Sequence, residues 1–282
     1  MSINVISYVK IIYRIFHCIK NLRIWDNEIG VNILRKDICP TKKKENIYII
    51  GTGPSARQLT TAEKDYLKDQ TTIGLNNAAG FDFICSLYLI ELVGNCSKIV
   101  EDLTSKAANH EKIKVIVKGN YLNISVYNKE YLRAKKLKRE SNINLKYIKD
   151  FPIPAESKEM LIKNLKIIDR LGLFKNIDVN NWFAQTRGTL TTAIIYAAKC
   201  GYKNVYLVGV DLRNIIESKE RMGGEKSDPH PTEITNNKIL KMSQIIKVYQ
   251  EYLHKNYGIN LYVTSKISLL NDVLEYRDII KK

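Results

Sequence analysis

From Asn46 onward, short apolar runs alternate with longer amphipathic segments, and this alternation restricts the fold more than any other feature of the chain. The runs NIYIIG (46–51), TTIGLNN (71–77), IKVIVKGN (113–120), NVYLVGVD (204–211) and INLYVTS (259–265) are rich in β-branched and aromatic residues. They read as strands buried in a sheet. Helical spacing recurs between them at about 56–68, 97–108, 156–171, 189–200 and 232–256. Strands that alternate with helices predict an α/β fold: a Rossmann-like, mostly parallel sheet with helices on both faces. Ligands of such sheets bind outside the carboxyl ends of the strands. No internal repeat or low-complexity tract interrupts the pattern, and 282 residues bury a full core without disulfide or metal staples.

The first 45 residues do not share the pattern. In INVISYVKIIYRIFHCIKNLRI (3–24), Lys10 and Arg14 break the apolar run below the roughly 18 residues a membrane span needs, and no signal peptide fits. Lys10, Arg14, His17 and Asn21 recur on one side of a helix. Val5, Val9, Ile12, Phe16 and Ile19 fall on another, widened by Ile11 and Ile15. That is an amphipathic helix suited to an interfacial anchor, and equally to packing on the domain or on a second copy in a homo-oligomer. Residues 36–45 (KDICPTKKKE) read as a basic linker. The chain thus divides into an amphipathic helix and linker (1–45) and a main domain (46–282).

The chain carries 45 Lys+Arg against 29 Asp+Glu, a formal charge of +16, which favours an anionic partner. The basic cluster 133–139 (RAKKLKR) reads as a solvated helix face or a patch for lipid phosphate. No zinc-finger or RNA-recognition signature accompanies the charge, so nucleic acid is not expected as a partner. Cys18, Cys39, Cys85, Cys96 and Cys200 form no CxxC pair and read as reduced thiols rather than a disulfide framework or zinc site.

Five motifs could carry chemistry. Gly51-Thr52-Gly53-Pro54-Ser55 follows the first strand of the domain. Its glycines permit close backbone approach, and the amides of a following helix start can hold a phosphate. It is neither a Walker A loop nor a full GxGxxG, and a plain turn capped by Ser55 explains it as well. Asn76-Asn77 ends the second strand, where a side-chain amide reaches a base, ribose or sugar or simply makes a turn. Gln185 to Thr192 (QTRGTLTT) opens a helix with Thr189 or Thr191 as cap and Arg187 as a permanent charge. GVDLRN (209–214) ends a strand with Asp211, able to orient a helix start or bind ligand, and with Arg213, able to face an anion. In DPHPTE (228–233), His230 between two prolines suits a general base, whereas His110 and His254 read as surface residues.

In this order the motifs resemble those of the bacterial sialyltransferases of glycosyltransferase family 42. That family has a GxGPS loop after its first strand (here GTGPS, 51–55) and an asparagine after its second (best matched by Asn76). An Arg-x-Thr helix entry then leads through Gly-Tyr-Lys to a strand ending in Gly-x-Asp. The counterparts here are Arg187, Thr189, Gly201-Tyr202-Lys203 and Gly209-Val210-Asp211. Its base histidine precedes a long helix, a strand and Ser-Leu-Leu, and His230, LYVTS and Ser268-Leu269-Leu270 are similar. The match spans about 46–275, with sparse identity between motifs. Thr52 stands where the family has asparagine, Arg213 where it has tyrosine, and the lid segment, about 212–229, is short.

The resemblance implies a GT-A-like variant of the α/β fold, and inverting transfer of sialic acid, or of another ulosonic acid such as Kdo, from a CMP-linked donor to a cell-surface saccharide. It implies His230 as base and Arg187, Arg213 and the helix start at Thr189 as stabilisers of the leaving phosphate. Gly51, Thr52, Gly53, Pro54, Ser55, Asn76, Asn77 and Asp211 would hold the donor. No Asp-x-Asp occurs, so no metal or other cofactor is expected. The place of action would be the cytoplasmic face of the inner membrane, at an anionic surface. The glycine loop also resembles proteins related to a pterin pyrophosphokinase, which implies an ATP-dependent enzyme instead. A non-catalytic membrane-surface adaptor is the third reading.

Overall fold

A computed structural model describes residues 9–16, 45–92, 97–110, 113–118, 124–140, 142–174, 182–186, 188–212 and 240–280. Ten strands are seen: β1 (Asn46–Ile50), β2 (Thr72–Leu75), β3 (Leu87–Glu91), β4 (Ile113–Lys118), β5 (Ile143–Tyr147), β6 (Lys149–Pro152), β7 (Trp182–Gln185), β8 (Asn204–Val208), β9 (Asn260–Val263) and β10 (Glu275–Tyr276). The helices are α1 (9–16), α2 (Pro54–Arg57), α3 (Thr61–Lys68), α4 (Ser97–Asn109), α5 (Ile124–Arg139), α6 (Lys158–Arg170), α7 (Thr189–Lys199) and α8 (Met242–Tyr257).

Eight strands form one sheet in the order β10-β9-β8-β1-β2-β3-β4-β5, every pair parallel. The chain runs outward from β1 to β5, crosses back through the β6–β7 pair, and resumes beside β1 at β8. The order therefore reverses between β1 and β8, and this is the Rossmann-like α/β arrangement that the alternation predicts. Ile47 and Ile49 of β1 join the core under α6, α7 and α8, whereas Tyr48 and Ile50 join the core under α2, α3, α4 and α5. Helices on opposite faces follow from right-handed crossovers that progress in opposite directions from one switch point.

The five predicted strands are present. The expected helix 56–68 is two helices, because Thr60 starts a new one: its hydroxyl accepts from Glu63 N at 3.2 Å, and its own amide donates to the Glu63 carboxylate at 2.8 Å. The helix expected over 232–256 is seen from Met242, and 232–239 lie outside the described residues. The basic cluster 133–139 is the end of α5. Ala134 and Leu137 face the core there and Lys135, Lys136, Lys138 and Arg139 face solvent.

α1 docks on the domain by a side other than the expected one. Ile11 is buried in the core, Ile15 packs against it, and Arg14 Nη1 donates to the Pro152 carbonyl at 2.7 Å. Arg14, expected on the polar face, is thus an anchor: its stem packs while its guanidinium satisfies a strand-end carbonyl. Val9, Tyr13 and Phe16 are exposed along the other side. Val5, His17, Ile19 and Asn21 lie outside the described residues, and no described helix is long and apolar enough to cross a membrane. Cys85 is a free, buried thiol whose pKa burial pushes up to about 12. Cys200 is disulfide-bonded, so the expectation of reduced thiols throughout is corrected there.

Candidate functional site

The crevice at the carboxyl ends of β1 and β8 joins three segments that are far apart in sequence. Gly51 N donates to Val208 O and Gly53 N to Gly209 O, each at 2.7 Å. Asp211, almost fully buried, accepts from Ser55 N at 2.7 Å through Oδ2 and from Ser55 Oγ at 2.6 Å through Oδ1. Ser268, from Ser-Leu-Leu, donates its hydroxyl to Val210 O at 2.7 Å, and Leu269 N donates to Asp211 O at 3.0 Å. GTGPS, GVD and SLL therefore lock together across the switch point.

Two of the glycines are explained by this lock. A Cβ on Gly53 would stand 2.5 Å from Asp211 Oδ2 and 2.8 Å from Gly209 O. Gly209 has φ +65°, and a Cβ there would stand 2.5 Å from Ala56 Cβ. Pro54 is the first residue of α2, and Gly53 precedes it without a side-chain cap. The helix is capped from a distance by Asp211. Of the two roles foreseen for Asp211, the observed one is orienting a helix start, and the amide of Ser55 is thereby already engaged by a carboxylate. Thr52 is half-buried in the turn.

A second network lies at the ends of β2, β3 and β4. Asn76 adopts φ +46°; its Oδ1 accepts from Glu91 N at 2.8 Å, and its Nδ2 donates to Thr189 Oγ1 at 3.3 Å. Thr189 Oγ1 donates to Glu91 Oε2 at 3.1 Å, and Lys118 Nζ lies 3.3 Å from the same oxygen. Asn77 is half-buried at the start of the 3-10 turn Asn76–Gly80. Neither threonine caps α7 as expected: Gly188, at φ +97°, is its N-cap and makes no side-chain bond. Thr191 Oγ1 instead accepts from Thr186 N at 3.0 Å and donates to Thr186 O at 2.9 Å, which fixes the entry turn. The Thr186 hydroxyl in turn meets Tyr249 OH of α8 at 2.8 Å, and burial raises the Tyr249 pKa.

The structure thus brings Gly51, Gly53, Pro54, Ser55 and Asp211 together at the switch point, and Asn76 and Thr189 together on the α7 side of the sheet. Arg187, Arg213 and His230 lie outside the described residues, as does the lid segment beyond Leu212. Sequence reading missed Glu91 and Lys118. The available signal was a charged residue ending an apolar strand run, in LYLIE and IKVIVK. Beyond Ser55, a pocket of about 200 Å³ is lined by Gln58, Glu63, Thr264, Ser265 and Lys266 among others. Among the described residues no group of three or more His, Cys, Asp or Glu could hold a metal ion.

No family model matches the chain, and no curated protein matches it at a significant level.

Proposed function

We propose that the chain is an inverting glycosyltransferase that moves sialic acid, or a related ulosonic acid such as Kdo, from a CMP-linked donor to a saccharide acceptor. The observation that carries the reading is the meeting of GTGPS, GVD and SLL at the point where the strand order reverses, with Asn76 and the α7 entry beside them. These are the segments on which the resemblance to family 42 rests, and a switch-point crevice is where nucleotide ligands of such sheets sit.

In this reading the acceptor hydroxyl oxygen bonds to the anomeric carbon of the donor sugar. The bond from that carbon to the phosphate oxygen breaks, its electron pair leaves with CMP, and His230 takes the hydroxyl proton. Arg187 and Arg213 neutralise charge on the departing phosphate, a role electrostatic donors fill in many transfer reactions. A monophosphate carries less charge than a diphosphate, which fits a reaction run without a metal. The exposed stripe of α1, with Lys10 beside it, supports a peripheral position on an anionic membrane, near a lipid-linked or capsular acceptor.

Thermal shift of the full chain with CMP, CDP, UDP and ATP, with and without Mg²⁺, tests the reading. A ligand at a hundred times its Kd adds about 2.7 kcal/mol of stability, so selective stabilisation by CMP is expected without metal. His230→Ala should keep CMP binding and lose transfer by a factor on the order of 10²–10⁴. Stabilisation by ATP–Mg²⁺ and not by CMP would transfer the case to a pyrophosphokinase-like enzyme.

A further inference from the structure

Two of the chain's own carboxylates stand beside helix starts. Asp211 takes the amide of Ser55 in α2, and Glu91 accepts from the side-chain hydroxyl of Thr189, the first residue of α7. A phosphate placed at the other oxygen of Glu91 would meet an acceptor with no proton to donate. That corner of the site therefore selects hydrogen-bond donors rather than anions.

The carboxylate is held by one oxygen and presented by the other. Glu91 Oε2 takes both the Thr189 hydroxyl and the Lys118 ammonium, and the Glu91 amide is fixed on Asn76. Lys118 is fully buried, whereas 22% of the Glu91 side chain is exposed. Among the described residues, Oε1 accepts no hydrogen bond. A carboxylate acceptor whose other oxygen is immobilised is preorganised for a ligand, and carboxylates at strand ends of such sheets bind hydroxyl pairs. We propose that Glu91 Oε1 is the acceptor for a vicinal hydroxyl pair of the ligand, on the nucleotide ribose or on the sugar it carries. Lys118 and Thr189 are positioning residues that set the Glu91 rotamer. The proposal rests on the transferase reading above.

Titration calorimetry of the full chain with CMP, 2′-deoxy-CMP and CMP–sialic acid tests it. If the ribose is the source, wild type binds CMP about tenfold or more tighter than 2′-deoxy-CMP, the scale of one hydrogen bond to a charged acceptor. If the sugar is the source, CMP and its deoxy analogue bind alike, and CMP–sialic acid binds about tenfold tighter than CMP. In either case Glu91→Ala combined with Lys118→Met erases that preference while keeping affinity for the ligand that lacks the hydroxyls. The second change avoids stranding a buried ammonium. Glu91→Gln with Lys118→Met retains part of the preference, which a merely structural role does not predict. A double variant with undiminished preference, or a wild type with none, overturns the proposal while CMP binding leaves the transferase reading standing. Absence of binding by any of the three ligands removes both.

Discussion

Lys199 in α7 gives the sharpest test of the packing. Its side chain is buried, and Nζ donates to Leu173 O at 2.7 Å and Trp182 O at 3.0 Å, 5.2 Å from the centre of the Phe183 ring. Among the described residues no carboxylate pairs with it, and burial lowers its pKa to about 7. In the unfolded chain the pKa returns to about 10.4. Below pH 7 both states carry the proton and the folded state bears the whole burial cost, up to about 5 kcal/mol. Between pH 7 and 10.4 the unfolded chain holds the proton and the folded chain does not, so stability rises with pH by at most about 1.4 kcal/mol per unit. Lys199→Met removes this dependence. Its effect at pH 7 is a balance, because the lost burial cost opposes two carbonyls deprived of a donor, each worth about 1–3 kcal/mol. The slope is free of that ambiguity. Urea unfolding at pH 7.5, 8.5 and 9.5 should show wild type gaining about 2.5 kcal/mol on the variant. The buried Cys85 thiol pulls the other way above pH 9, but it is common to both proteins and cancels. A difference constant within about 0.5 kcal/mol would refute the buried, neutral amine.

Asp211→Asn weakens two short bonds to Ser55 and should lower stability by about 1.5–3 kcal/mol, read by the same unfolding assay, and lower CMP affinity with it. Replacing Val9, Tyr13 and Phe16 by serine should leave the melting temperature within a few degrees, since all three are exposed, but abolish flotation with anionic liposomes. Equal flotation of both proteins would put membrane contact elsewhere. Transfer activity should survive EDTA, and an absolute requirement for Mg²⁺ or Mn²⁺ would argue for a diphosphate donor or ATP.

The parallel sheet was legible because β1, β8 and β9 are apolar on both faces, a pattern only a covered sheet requires. β5 escaped because it lies at the sheet edge and reads INLKY, with Asn144 half-buried. β6 ends in a proline, and β10 is two residues long. Within the site, the glycines of GTGPS and the aspartate of GVD were visible as motifs, but their mutual contact was not. It joins residues 156 positions apart and depends on the order of strands, which local pattern does not encode. The same holds for Glu91 and Lys118, whose partners lie on other strands and on α7. The side by which α1 docks was misread because an arginine stem packs as an apolar group while its head finds a carbonyl.

The position of β1 has a consequence during synthesis. It is the axis of the sheet, yet one neighbour, β2, follows after a short connection of two helices, α2 and α3, whereas the other, β8, emerges roughly 150 residues later. At about 5–20 residues per second, the β8 side of β1 waits on the order of 10–30 s without its partner strand. An open parallel edge backed by Ile47 and Ile49 is a template for wrong pairing throughout that interval. Chains released before Asn204 should accumulate as chaperone-bound or aggregated species, while those that reach Tyr276 should close the sheet in one step.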